Sequence, residues 1–227
     1  MTDIRPGRRA AIVAGLRTPF ARSGGVFRDV PAVALARHAA RELIIRSELD
    51  GREVDEVIFS QVVPSVLTPN VGREVSLLPQ LLPSIPAYTL NRACASAAQA
   101  VANAADQIAL GHADTVLAGG VESLSDIPIL HSRRLSQVLV DASKARSLGS
   151  RVAAFGRVRP RDLVPVTPAI AEPSTGESMG QSAEKMAKEN GITRREQDQI
   201  AFDSHRNAAR AWKEGLFREE VMHVLVP

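Results

Sequence analysis

Cysteine is almost absent: Cys94 stands alone among 227 residues, which excludes an internal disulfide and any multi-cysteine metal site. Lysine is scarce too, since the 28 basic residues include only 4 lysines and so 24 arginines. Aromatic residues make up 4% of the chain, too few for the stacking platforms that hold single-stranded nucleic acid. Despite a net charge of +3 and a pI near 9.5, no nucleic-acid partner is expected. No run reaches the roughly 18 apolar residues that a membrane-spanning helix needs. Residues 1–9 are polar and basic, with no apolar stretch before Ala10. A secretory leader is therefore not expected, and a cytoplasmic setting is.

What is present is the composition of a globular protein, 44% hydrophobic and 23% charged, able to bury one large core or two small ones. The positive charge is concentrated. Residues 131–161 carry Arg133, Arg134, Lys144, Arg146, Arg151, Arg157, Arg159 and Arg161 against the single acid Asp141. Leu135, Val138, Leu139, Ala142, Leu148, Val152 and Phe155 run between them. That pattern suits a docking surface for a partner or an anionic membrane; a solvated helix face is the plainer alternative.

Hydrophobic periodicity gives an alternating plan. Residues 10–14 form a short apolar run closed by Gly15, the pattern of a buried strand. Pro31 opens a helix with Leu35, Ala36, Ala39, Ala40, Leu43 and Ile44 on one face. Residues 54–63 read as a strand stopped by Pro64, and 71–82 as a helix closed by Pro83. A strand over 85–90 exits through Asn91-Arg92-Ala93-Cys94-Ala95-Ser96 into an alanine-rich helix, 97–110, stopped by Gly111. Residues 114–120 supply a further strand with a double-glycine exit. Strands and helices at this spacing imply right-handed βαβ units and a mainly parallel sheet. Beyond Gly120, Pro128, Pro160, Pro165, Pro168 and Pro173 break the pattern. Two helices follow, 179–189 and one opened by a capping box from Thr193 to Glu196, with Ile200, Ser204, Ala208 and Trp212 on one stripe. Residues 221–226 return to a strand pattern.

Cys94 lies where a strand turns into a helix, among Ala93, Ala95, Ser96, Ala97 and Ala98. A thiol there faces unpaired N–H groups and the positive end of the helix dipole, which favours its ionised form. Small neighbours admit a substrate, and the Cys94 N–H can donate to a developing oxyanion. On the residues alone, nucleophile and inert buried cysteine stand level. His112 and Asp114 flank a helix-to-strand turn and read as capping residues. His205 sits on a charged helix, and Gly119-Gly120 lacks the spacing of a dinucleotide fingerprint.

NRACASAAQA resembles the acyl-cysteine motif of the thiolases, and AGGVESLSDIP their glycine-rich strand exit with Glu122-Ser123-Leu124-Ser125. RTPFARSGG is a third match, and MGQSAEKMAKENGITRREQDQIAFDSHRNAARAWKEGLFREEV is similar to the thiolase loop domain. The segment KARSLGSRVAAFGRVRPRDLVPVTPAIAEPSTGESMG is most similar to long-chain 3-ketoacyl-CoA thiolases of the trifunctional-enzyme β-subunit type, which partner a hydratase/dehydrogenase subunit. Two positions depart from the pattern. Ala97 stands where the family commonly has glycine, and Leu124 replaces a methionine with little change of volume.

The resemblance implies an α/β, thiolase-like fold: an N-terminal βαβαβα half with a mixed, mainly parallel sheet over 1–120, an α-rich loop domain over 121–220, and a returning core strand over 221–227. It implies Cys94 as the catalytic nucleophile and Met179 as a substrate-binding residue against pantetheine. Coenzyme A and acyl-CoA enter as substrates, with no cofactor and no metal. A homodimer or higher oligomer is implied, with 131–161 facing a hydratase/dehydrogenase subunit or an anionic membrane. The activity implied is thiolytic cleavage of 3-ketoacyl-CoA to acetyl-CoA and a shortened acyl-CoA in fatty-acid β-oxidation. A biosynthetic acetoacetyl-CoA thiolase and a non-catalytic acyl-CoA-binding module are the alternatives. Full thiolases carry a second half with a GHP-type histidine base and a second cysteine. None of His38, His112, His131, His205 or His223 lies in such a motif. The 227 residues are thus expected to be the N-terminal half with much of the loop domain, inactive alone.

Overall fold

In the computed structural model, which describes residues 8–166 and 171–226, the strand β1 (Glu56–Ser60) sends its side chains alternately into two apolar layers. Val57 and Phe59 join Ala36, Ala40 and Ile44 of helix α1 (Ala32–Arg46) and Val71 and Val75 of helix α2 (Val71–Ser76). Ile58 turns the other way, onto Ala100 and Ala104 of helix α3 (Ser96–Ala109). Strands β2 (Ala87–Leu90) and β3 (Val116–Ala118) flank β1 in the order β2-β1-β3, both parallel to it. Burial on both faces is what an apolar run such as EVIFS in β1 requires. Gly111, at φ +74, closes α3; its N–H reaches the Ile108 carbonyl at 3.1 Å and the His112 N–H reaches Gln107 at 3.0 Å. This bond pair is the Schellman ending of a helix, which makes His112 a capping residue.

These elements belong to one compact unit, residues 1–127 with 211–227; residues 128–210 form a second. In the second, the basic stretch becomes two helices, α4 (Arg133–Lys144) and α5 (Leu148–Phe155), packed through Val138, Ala142 and Ala154. Helices α6 (Met179–Glu189) and α7 (Arg194–Glu214) follow. The expected capping box forms at the start of α7. Thr193 Oγ1 donates to Glu196 Oε2 at 2.8 Å, and the Glu196 N–H donates back to Thr193 Oγ1 at 3.3 Å.

Several expectations are corrected. Residues 10–14 form no strand, and Ile12 and Val13 are 84% and 90% exposed. An apolar run becomes a strand only where a neighbouring edge completes its hydrogen bonds, and no described strand pairs with this one. Of the returning strand expected over 221–227, the described residues 221–226 form none. Val221 makes one parallel bridge to Arg17, and only Val221 and Met222 are buried. Without those strands the sheet is wholly parallel among the described residues. The helix begun at Val71 stops at Ser76. Helix α7 forms with no residue buried, and Trp212 meets the Phe217 ring edge-on at 5.2 Å. Residues 1–7, Pro168 and Pro227 lie outside the described residues.

Candidate active site

Between Leu90 and Ser96 the chain reverses on local hydrogen bonds. Asn91 Oδ1 accepts the Ala93 N–H at 2.9 Å, an Asx turn. Ala93 stands at φ +47, a left-handed conformation that costs an L-residue about 1–2 kcal/mol. The buried Ser96 locks the turn from below: its Oγ accepts the Arg92 N–H at 2.7 Å and donates to the Ala93 carbonyl at 2.5 Å. The Ala95 and Ser96 N–H groups reach the Arg92 and Ala93 carbonyls at 3.2 and 3.1 Å. Cys94 sits at the crest of this knuckle, exposed, one residue before Ala95, the N-cap of α3. Ala95 has no capping side chain, which leaves first-turn N–H groups of α3 for solvent or a ligand.

The knuckle is pressed onto the sheet by small residues after β3. A Cβ on Gly120 would lie 2.3 Å from Ser60 Oγ and 3.1 Å from Ala97 Cβ, and one on Gly119 would lie 3.2 Å from the Phe59 ring. Glu122 Oε2 accepts the N–H groups of Val62 and Val63 at 2.8 and 3.2 Å. Asn91 Nδ2 donates to the Val62 carbonyl at 2.9 Å. The loops after β1, β2 and β3 are thus joined at the carboxyl edge of the strands, where parallel α/β sheets place their ligand sites. Asn91, Ser96 and Glu122 carried no role in the sequence reading. Asn two residues ahead of a small residue at a strand exit is a readable Asx-turn signal; the reach of Glu122 to Val62 has no local signal.

Met179 opens α6 behind Ser178, whose hydroxyl accepts the Gln181 N–H at 3.3 Å, and its side chain is 66% exposed. It belongs to the second unit and Cys94 to the first. A cavity of about 500 Å³ in the first unit lies among residues 16–23, α1 and residues 117–125; Cys94 does not line it. Among the described residues no cluster of His, Cys, Asp and Glu could hold a metal ion, and no helix is long and apolar enough to cross a membrane.

In the basic segment, two cations have acidic partners: Arg157 pairs with Asp141, and Arg134 stands 4.0 Å from Asp162. The Asp162 carboxylate is tied by the Arg159 N–H at 2.9 Å and the Ser132 hydroxyl at 3.2 Å. The Arg159 N–H is the main cause that holds its pKa below the ordinary value, ahead of the opposing effect of burial. On α5, Leu148, Val152 and Phe155 fall at i, i+4 and i+7 and form one stripe, 77%, 65% and 46% exposed.

Cys94 thus stands exposed on a knuckle with a left-handed alanine, between a strand of a parallel sheet and the start of a helix. The chain belongs to the thiolase family: the family model described as thiolase, N-terminal domain, matches residues 10–227. It is 48% identical over 223 residues to a 3-ketoacyl-CoA thiolase of Erwinia tasmaniensis, an alignment of 98% of this chain and 51% of the relative. A 3-ketoacyl-CoA thiolase of Escherichia coli is 47% identical over the same shares. Among solved structures, the acetyl-CoA acetyltransferase of Bacillus anthracis superposes with a TM-score of 0.76 at 30% identity, covering 95% of this chain and 50% of that one. The Acat5 thiolase of Ascaris suum in complex with coenzyme A gives the same TM-score at 28% identity, with 93% and 50% covered. The chain spans about half the length of the curated relatives it matches.

Proposed function

We propose that this chain forms the nucleophile-bearing half of a 3-ketoacyl-CoA thiolase of fatty-acid β-oxidation. The observation that carries the reading is the exposed Cys94 on its Ala93 knuckle at the start of α3. The identity with two proteins named 3-ketoacyl-CoA thiolase supports the substrate class and favours the degradative over the biosynthetic direction. Cys94 Sγ, as the thiolate, attacks the 3-keto carbon of a 3-ketoacyl-CoA. The C2–C3 bond breaks, acetyl-CoA leaves as its enolate and takes up a proton, and the shortened acyl group stays on sulfur as a thioester. The thiol of a second coenzyme A attacks that thioester, which releases the shortened acyl-CoA and restores Cys94. The Cys94 N–H donates to the thioester oxyanion, and Ala95 and Ala97 leave room for the carrier chain. Met179 is assigned to pantetheine contact. The electrons move onto the substrate's own carbonyl, so the cycle calls for no cofactor or metal; coenzyme A is a substrate.

In this reading residues 1–120 serve as the core half and 121–220 as the loop domain of a cytoplasmic homodimer or higher oligomer. Segment 131–161 docks an anionic surface, either a hydratase/dehydrogenase subunit or an anionic membrane. The general base and a second cysteine come from outside these 227 residues. General acid–base help is worth about 10² to 10⁴-fold per group, so the 227 residues alone are expected to give no steady thiolysis of a 3-ketoacyl-CoA. In a longer, active form, Cys94→Ser is expected to abolish turnover. Steady thiolysis by the purified chain, or turnover that survives Cys94→Ser in the longer form, would contradict the reading.

A further inference from the structure

We propose that Glu122 and Asn91 act as one positioning relay that sets the attitude of Cys94, a role that rests on Cys94 being the acyl acceptor. Three loops meet in it. From the loop after β3, Glu122 Oε2 holds the N–H groups of Val62 and Val63. In the loop after β1, the Val62 carbonyl accepts from Asn91 Nδ2. After β2, Asn91 Oδ1 holds the N–H of Ala93, the residue at φ +47 that precedes Cys94. Val62 is therefore held at both its N–H and its carbonyl, by one side chain from each neighbouring loop.

The physical need lies at Ala93. A left-handed alanine relaxes to the right-handed region unless its surroundings hold it, and that rotation would swing the adjoining Cys94. Ser96 holds the Ala93 carbonyl, and Asn91 Oδ1 holds its N–H; the orientation of Asn91 is fixed by Val62, whose placement Glu122 fixes in turn. A single Glu122 oxygen accepts two adjacent N–H groups, which suits Glu122 as the anchor of the series. Neither residue touches the reacting atoms; both act through the backbone that carries the sulfur.

Amide hydrogen exchange on the 227-residue chain tests the coupling without any substrate. In Glu122→Ala, exchange is expected to speed about tenfold or more, the scale of a lost local protection, at Val62 and Val63 and also at Ala93 on the other loop. Glu122→Gln keeps an oxygen acceptor and is expected to restore protection at all three. If Asn91→Ala does not fold, Asn91→Asp keeps the acceptor for Ala93 but loses the donor to Val62, and is expected to speed exchange at Ala93. Faster exchange confined to Val62 and Val63 would overturn the relay. The longest expressed form then reads the chemistry: acylation of Cys94 by an acyl-CoA is expected to fall about tenfold to a hundredfold in Glu122→Ala, with KM unchanged and rescue by Glu122→Gln. Acylation at the parent rate in Glu122→Ala would also overturn the proposal. A parent that is never acylated at Cys94 would instead overturn the assignment of the nucleophile, while the exchange at Ala93 still decides the relay.

Discussion

Gly72 packs α2 against β2 so closely that a Cβ would stand 2.3 Å from the Tyr88 carbonyl oxygen, and its N–H donates to Thr89 Oγ1 at 2.9 Å. Backbone cannot swing aside as a side-chain tip can. Gly72→Ala is therefore expected to destabilise the chain by about 1–3 kcal/mol, measured as a lower urea midpoint at unchanged slope. Ala93 is the opposite case, a residue with a Cβ where the backbone favours none. Ala93→Val places a β-branched side chain at φ +47, a conformation such residues rarely adopt, and is expected to lower the midpoint. In Ala93→Gly the relief is partly offset by the freer unfolded chain, so no such fall is expected. Read by propensity, Gly72 is a weak helix former and Ala93 a strong one; Gly72 is set instead by strand β2, outside its own helix, while Ala93 is set by Asn91 and Ser96, two and three residues away.

The segment before α4 and the 3₁₀ turn Pro160–Leu163 are tied together at Asp162. Its pKa is lowered chiefly by the Arg159 N–H, with the Ser132 hydroxyl and the Arg134 and Arg161 charges adding and burial opposing. A depressed folded pKa means the unfolded chain takes up the proton more readily. The contribution is thus present above the usual aspartate value of about 3.9 and is lost as pH falls through the folded value. Unit 128–210 is expected to lose stability on acidification in that window, and Asp162→Asn to flatten the dependence; parallel pH profiles of the two proteins would contradict it. At the start of α7, Glu196 is likewise held low, first by the Thr193 N–H and then by its hydroxyl. Loss of that cap in Thr193→Ala is expected to cost about 1 kcal/mol, seen as faster exchange in the first turn of α7. Such helix ends were legible because their signals are local: Thr193 and Gly111 each mark an end within a few residues. Strand ends were less so. Residues 54–63 were expected where 56–60 pair, and residues 10–14 carry a strand pattern but pair with nothing described, because a ladder needs a second chain segment that periodicity does not specify.

For the whole molecule, the place of Cys94 between a strand and a helix was readable from its small neighbours and the flanking patterns, whereas a nucleophilic role came only from the family resemblance. The long-range bonds that aim it were not readable, since Glu122 and Val62 meet only once the sheet forms. The basic segment makes a separate expectation. Arg133, Lys144 and Arg146 make no ion pair among the described residues, and replacing all three by Glu is expected to abolish association with an anionic membrane or a hydratase/dehydrogenase subunit. That association should already weaken with salt, as exposed charges are screened within about 10 Å at 0.1 M; association indifferent to salt would refute the docking surface. The most direct measurement is intact-mass and peptide mapping of the longest expressed form after incubation with an acyl-CoA. The expected result is one acyl adduct, on the peptide that contains Cys94, discharged by added coenzyme A and absent in Cys94→Ser. An adduct on another residue, or turnover with Cys94 never acylated, would contradict the assignment of Cys94 as the acyl acceptor.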